Sequence, residues 1–200
     1  VVICSGRSEA LTIDNNFRWL MNENADHIHK DPQLSAIFHR FGADAFRRSS
    51  GVELFESFLR KIKFRGERCV EIGTYNGITA IILARYFKEV VSFDIFPYTA
   101  KHAIAEFAGV TNVRFVDIKS NEEKAELINA LDFDAAYSDG DHANDAQSDF
   151  DLVKKCKRVL FHEYWDIQQP VYDLVNSLKL NFRDKVTIEG KFAFWEGGRK

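Results

Sequence analysis

Apolar residues recur along this chain at two periods, and the period changes near residue 66. Before it the spacing is helical. Val52, Phe55, Phe58, Leu59 and Ile62 fall three and four residues apart, which predicts a helix over residues 51–63. Ser50 and Glu53 have the spacing of a capping box at its start. Two shorter amphipathic stretches, 14–23 and 31–41, precede it, and Pro32 suits the first turn of the second. After residue 66, short apolar runs alternate with amphipathic stretches. Strands are predicted at 69–72, 90–95, 112–118, 133–139 and 158–163, with helices at 77–89, 97–109, 121–131, 144–156 and 169–180 between and after them. Two last strands, 185–190 and 191–197, meet at Gly190-Lys191 and predict a hairpin.

Strict alternation of strands and helices implies parallel strands with right-handed crossovers. The expectation is a doubly wound, Rossmann-like sheet, mostly parallel, with an antiparallel strand from the closing hairpin. The chain divides into a helical extension, residues 1–66, and a sheet-containing core, residues 67–200, within one compact domain. No internal repeat interrupts this pattern.

Composition narrows the function classes. The net charge is −3, from 27 basic and 30 acidic residues, so nothing calls for a polyanionic partner and none is expected. The basic pairs Arg47-Arg48 and Lys154-Lys155 read as solvated faces. Cys4, Cys69 and Cys156 show neither a CxxC nor a metal spacing, which fits thiols in a reducing, cytoplasmic setting. No apolar run approaches the roughly 20 residues of a membrane helix, and the first residues do not resemble a signal peptide. A start on valine leaves open a longer parent chain, and assembly of identical copies is also left open. The 18 phenylalanines should lie mostly in the core.

In a doubly wound sheet, ligands bind outside the carboxyl ends of the strands. The turn after the first predicted strand reads Glu71-Ile72-Gly73-Thr74-Tyr75-Asn76-Gly77. Glycine at 73 permits a sharp turn, and glycine at 77 permits close approach to the following helix, whose first N–H groups suit an anion. The next strand ends on Asp94, a carboxylate able to accept hydrogen bonds from two ribose hydroxyls. A nicotinamide site would show G-x-G-x-x-G, whereas the spacing here is G-x-x-x-G.

The segments VEIGTYNGITA, SFDI, YSDGDHANDAQSDFDL and LFHEYW…QQPVYDLV, between Arg68 and Trp195, resemble class I S-adenosylmethionine-dependent methyltransferases. The D-G-D-H segment and the P-V-x-x-x-V helix resemble the branch that includes metal-dependent sugar O-methyltransferases. The resemblance implies a seven-stranded sheet and a turn from Gly73 through Thr74 and Tyr75 to Gly77 around the methionine part of the cofactor. It also implies Glu71 near the cofactor's amino group, Asp94 on the ribose and Ser120 beside the adenine. Lys119 stands where an acid is frequent, so Asp117 or the backbone would share the adenine contacts.

Methyl transfer to a hydroxyl needs a base, a metal or both. Asp139-Gly140-Asp141-His142 closes the fourth predicted strand and His162-Glu163 the fifth. By resemblance, Asp139 and Glu163, with His162, are candidate ligands for Mg²⁺ or another divalent cation. Asp139 would also face the cofactor and take part in catalysis, and His142 is the candidate general base. His162 departs from the paired acids of the sugar enzymes: the ion changes, or the site weakens, or no metal binds. The expected acceptor is a small molecule, with a sugar hydroxyl among the candidates. The rival readings are an amine, nucleotide or protein acceptor without metal, a dinucleotide-binding oxidoreductase, and a cofactor-binding protein without catalysis. Trp19, Phe38, His39, Phe41 and Phe46 line an acceptor pocket or belong to the core, and Tyr164 and Trp165 either stack on the acceptor or pack under the next helix. His27 and His29, two apart, would face away from each other on a helix and read as a surface pair, as do His39 and His102 singly.

Overall fold

A computed structural model of the chain describes residues 30–46, 52–97, 99–140, 145–156, 158–164, 169–181 and 185–197. Seven strands lie within them: β1 (Gly66–Ile72), β2 (Phe87–Asp94), β3 (Val113–Asp117), β4 (Ala135–Ser138), β5 (Arg158–Phe161), β6 (Val186–Glu189) and β7 (Phe192–Glu196). They form one sheet in the order β3-β2-β1-β4-β5-β7-β6. Neighbours from β3 to β5 pair in parallel. β7 pairs antiparallel with both β5 and β6. The hairpin therefore does more than add an edge: its second strand inserts beside β5 and leaves β6 outermost.

Two apolar layers cover the sheet. On one face lie α1 (Pro32–Phe41), α2 (Val52–Lys61), α3 (Ile78–Leu83) and α4 (Ala100–Phe107), packed with Cys69, Val90, Tyr137, Leu160, Phe192 and Phe194. On the other lie α5 (Asn121–Asn129), α6 (Ala146–Val153) and α7 (Gln169–Asn181), packed with Val70, Val91, Ala136, Val159, Phe161 and Trp195. Strand residues alternate between faces, so the sequence parity of each residue decides which layer it joins.

Local chemistry explains the helix starts. Asp31 caps α1, its carboxylate accepting from the N–H groups of Gln33 and Leu34, with Pro32 in the first turn. Ser120 caps α5, accepting from Glu123 N–H, with Glu122 and Glu123 in the first turn. Ser50 and Gly51, the predicted start of α2, lie outside the described residues, as do the stretch 14–23 with Trp19, the pair His27 and His29, Arg47-Arg48 and Cys4.

Boundaries move where pairing overrides periodicity. The predicted helix 77–89 ends at Leu83, and its last residues join β2 instead. Phe87 is claimed by Gly66 across the sheet. The Asn112 side chain holds the corner by donating to the carbonyls of both Ala84 and Phe87. β1 likewise begins at Gly66, ahead of the predicted Cys69. α4 starts at Ala100, with Pro97 ahead of it rather than in its first turn.

One surface reading changes, while His39 and His102 are exposed as expected. Lys155 donates to the carbonyls of Ile128, Asn129 and Leu131 at the end of α5 and lies over the Phe133 ring, so it closes a helix. Phe46 is buried, and Phe38 and Phe41 pack against the first core layer, which makes them core residues. Phe38 also meets the His39 ring edge-on. His102 meets the Phe115 ring edge-on. Cys69 is buried and Cys156 half-buried, both as free thiols. No described helix is long and apolar enough to cross a membrane.

Candidate functional site

The strand ends β2, β1, β4 and β5 form one rim, and the ladder continues a residue beyond them. Gly73 N–H donates to Phe93 O at 2.8 Å, Asp139 N–H to Ile72 O at 2.8 Å, and His162 N–H to Ser138 O at 3.1 Å. This run of bonds fixes Asp94, Gly73, Asp139 and His162 side by side. Gly73 has φ +93°, and a Cβ there would lie 2.1 Å from the Asp139 carbonyl oxygen. Glycine is therefore required both by its backbone conformation and by the closeness of the β4 loop.

The turn folds around Asp94. Its Oδ2 accepts from Thr74 N–H at 2.8 Å and Tyr75 N–H at 2.7 Å, and its Oδ1 accepts from Phe96 N–H at 2.8 Å. Tyr75 adopts φ +46°, a left-handed conformation that these bonds help to hold. Gly77, at φ +79°, faces the Phe115 ring and Lys101 Cβ, and the helix that follows it is only six residues long. Asp94 thus organises the turn from within the protein.

Beneath the turn lies a buried polar chain. Glu71 is fully buried and accepts from the Ser92 hydroxyl, which in turn is 2.5 Å from Thr74 Oγ1. Burial pushes the Glu71 carboxyl up to about 8. The Ser92 and Thr79 hydroxyls pull it down, and the charges of Asp139 and Asp94 add to the rise. Glu71 Oε1 has no hydrogen-bond partner among the described residues.

A second polar unit stands beside the first. Tyr137 Oη donates to Asp139 Oδ2 at 2.9 Å, and His162 Nδ1 lies 2.6 Å from Asp139 Oδ1. Tyr137 is fully buried; that burial, with the adjoining Asp139 charge, raises its pKa well above the usual phenol value. The His162 ring is also buried and stacks on Phe192, 5.1 Å between centroids. Glu163 follows at φ +56°, and its charge contributes to keeping Tyr137 protonated.

The structure thus brings together Glu71, Gly73, Thr74, Tyr75, Asp94, Asp139 and His162. Ser120 is placed as the α5 cap. Lys101, wholly buried, is ion-paired with Asp117 at the end of β3. Asp141 and His142 lie outside the described residues, as does Trp165. Tyr164 stacks on Tyr172, 5.3 Å between centroids, and donates to Asn176, so it packs against α7. Among the described residues, no group of three or more His, Cys, Asp or Glu side chains converges as a metal cradle.

Sequence reasoning passed over Ser92 and Tyr137. Both carried a signal: a lone serine inside VVSFD, and a tyrosine two residues before Asp139, hence on the same strand face.

No protein-family model matches the sequence, and no curated protein does. Solved structures do match. An O-methyltransferase from Bacillus cereus in complex with SAH (S-adenosylhomocysteine) superposes with a TM-score of 0.67 at 16% identity, covering 90% of this chain and 97% of that one. The chain has the fold of the class I methyltransferases. Cofactor-bound Rv0187 from MTB matches at a TM-score of 0.65 and 17% identity, over 87% of this chain and 96% of that one. An rRNA methylase from Streptococcus thermophilus matches at 0.53 and 15% identity, over 74% of this chain and 96% of that one. In this methyltransferase fold, the rim described above lies at the carboxyl ends of the parallel strands, where open α/β sheets bind ligands.

Proposed function

We propose that this chain is an enzyme that transfers a methyl group from S-adenosylmethionine to a hydroxyl of a small molecule, sugar hydroxyls included. The observation that carries the reading is the turn from Gly73 to Gly77 folded onto Asp94, at the carboxyl rim of a sheet with methyltransferase topology. The B. cereus neighbour, in complex with SAH, and the cofactor-bound neighbour support the cofactor.

The residues at the rim suit that cofactor. A carboxylate oxygen buried without a partner, Glu71 Oε1, is what an ammonium group would satisfy. Asp94 spends one carboxylate oxygen on two turn N–H groups and the other on one, which leaves acceptor capacity on Oδ1 for a ribose hydroxyl. When bound, S-adenosylmethionine supplies a methyl already activated on a sulfonium. The protein's part is then to align the acceptor oxygen with the methyl and receive its proton. His142 is our candidate for that proton, on the strength of its place in the D-G-D-H segment.

Calorimetric titration with S-adenosylhomocysteine and with NAD tests the reading directly. We expect binding of the first and none of the second. The reverse result would replace the proposal with a dinucleotide-dependent one.

A further inference from the structure

The sequence pattern singles out Asp139 and Glu163, with His162, for a shared divalent ion, but the geometry gives Asp139 different company. Both of its carboxylate oxygens face protein donors: the Tyr137 hydroxyl at 2.9 Å on Oδ2 and the His162 ring nitrogen at 2.6 Å on Oδ1. A separation of 2.6 Å leaves no room for an ion between carboxylate and imidazole, since a ligand–metal bond alone takes about 2 Å. Neither donor is free to swing away. Tyr137 and His162 are 1% and 4% exposed.

Their rings are braced by one aromatic cluster. Phe55, from α2, lies 4.9 Å from the Tyr137 ring and 5.4 Å from Phe192, between centroids. Phe192, from β7, lies 6.1 Å from Phe58 and 5.1 Å from His162. Strand parity puts Tyr137, Asp139 and His162 on the sheet face that α2 covers. The helix before the sheet and the strand inserted by the hairpin thus hold both donors against the same carboxylate.

We infer that Tyr137 and His162 are positioning residues that fix Asp139 as a shared hydrogen-bond acceptor at the transfer rim, and that Asp139 is not a ligand to a divalent ion. In this arrangement Asp139 is the acceptor and the His162 ring presents its Nδ1–H to it, an ion-assisted bond stronger than one between neutral groups. The phenol of Tyr137, held protonated by burial and by the adjacent charge, donates to the second oxygen. The carboxylate is locked in rotation without a metal. A hard cation held by both Asp139 oxygens would compete with these two buried donors for the same carboxylate, and one placed between carboxylate and imidazole would have to displace the His162 donor.

The inference rests on the methyl-transfer reading only in calling this rim the transfer site, and S-adenosylhomocysteine binding decides that reading separately. The test uses the full chain saturated with S-adenosylhomocysteine, or alone if it does not bind. Mn²⁺ binding is followed by electron paramagnetic resonance in the wild type and in Asp139→Asn. The expected result is no Mn²⁺ binding, or binding that differs by no more than about twofold between the two proteins. Stoichiometric binding weakened roughly tenfold or more by Asp139→Asn would overturn the inference. The second measurement is the proton resonance of His162 Nδ1–H in chain labelled with ¹⁵N-histidine. It should lie far downfield, vanish in Asp139→Asn, and shift in Tyr137→Phe while unfolding stays cooperative. It should be unmoved by Mg²⁺. Loss of the resonance on adding Mg²⁺, or no shift in Tyr137→Phe, would likewise overturn the inference.

Discussion

Glu71 is the residue whose chemistry is most altered by its surroundings. Its carboxyl is raised from an ordinary 4.5 to about 8, first by burial. Between those values the folded chain holds a proton that the unfolded chain releases. Stability in the absence of ligand should therefore fall as pH rises from about 4.5 to about 8, level out above, and carry no penalty below. Urea unfolding across that range should show a fall of a few kcal/mol, which Glu71→Gln removes. If Glu71 meets the cofactor's amino group, the same variant should weaken S-adenosylhomocysteine binding. Asp94→Ala removes the acceptor for three backbone N–H groups and should lower S-adenosylhomocysteine affinity by roughly 10- to 100-fold, the worth of a charge-assisted hydrogen bond. Unchanged affinity by calorimetry would detach Asp94 from the cofactor. These two acids and the glycines of the turn were legible in the sequence because strand ends and glycine spacing are local features. Ser92 and Tyr137 were not, because their partners lie on other strands.

At the scale of elements, the glycine turn, the paired helices α5 and α6, and the helix α2 carry the predictions. Gly73→Ala puts a methyl 2.1 Å from a backbone oxygen at a positive φ, so neither layer can yield cheaply. The expected outcome is loss of S-adenosylhomocysteine binding together with a lowered thermal midpoint. A buried pair, Lys124 with Asp149 at 2.6 Å, ties α5 to α6 under Gly140, whose added Cβ would meet Asp149 at 3.0 Å. Lys124→Met strands a buried carboxylate and should cost about 3–5 kcal/mol in chemical denaturation. Pairing it with Asp149→Leu should recover much of that loss. Phe55→Ala opens a cavity between α2 and Tyr137, with an expected cost of about 3–5 kcal/mol.

Over the whole molecule, the sequence pattern already contained the architecture. Alternating strands and helices dictate parallel pairing, and the helix termini carried their own punctuation in Asp31, Pro32 and Ser120. What periodicity could not reveal was where pairing would overrule it. The helix predicted through Glu89 stops at Leu83 because β1 claims Phe87, a partner distant in sequence. The same limit governs the site. The sequence by itself determined the glycine turn, the acid closing β2 and the polar residues after β4 and β5, since each is a strand-end feature readable from neighbours along the chain. Only the tertiary structure decided that Asp139 meets His162 and Tyr137, because β4 and β5 become adjacent only when the sheet forms. Only the sheet order, with β7 inserted beside β5, brings Phe192 under His162. A hydrogen bond of 2.6 Å between residues 23 apart is a property of packing, not of either segment alone.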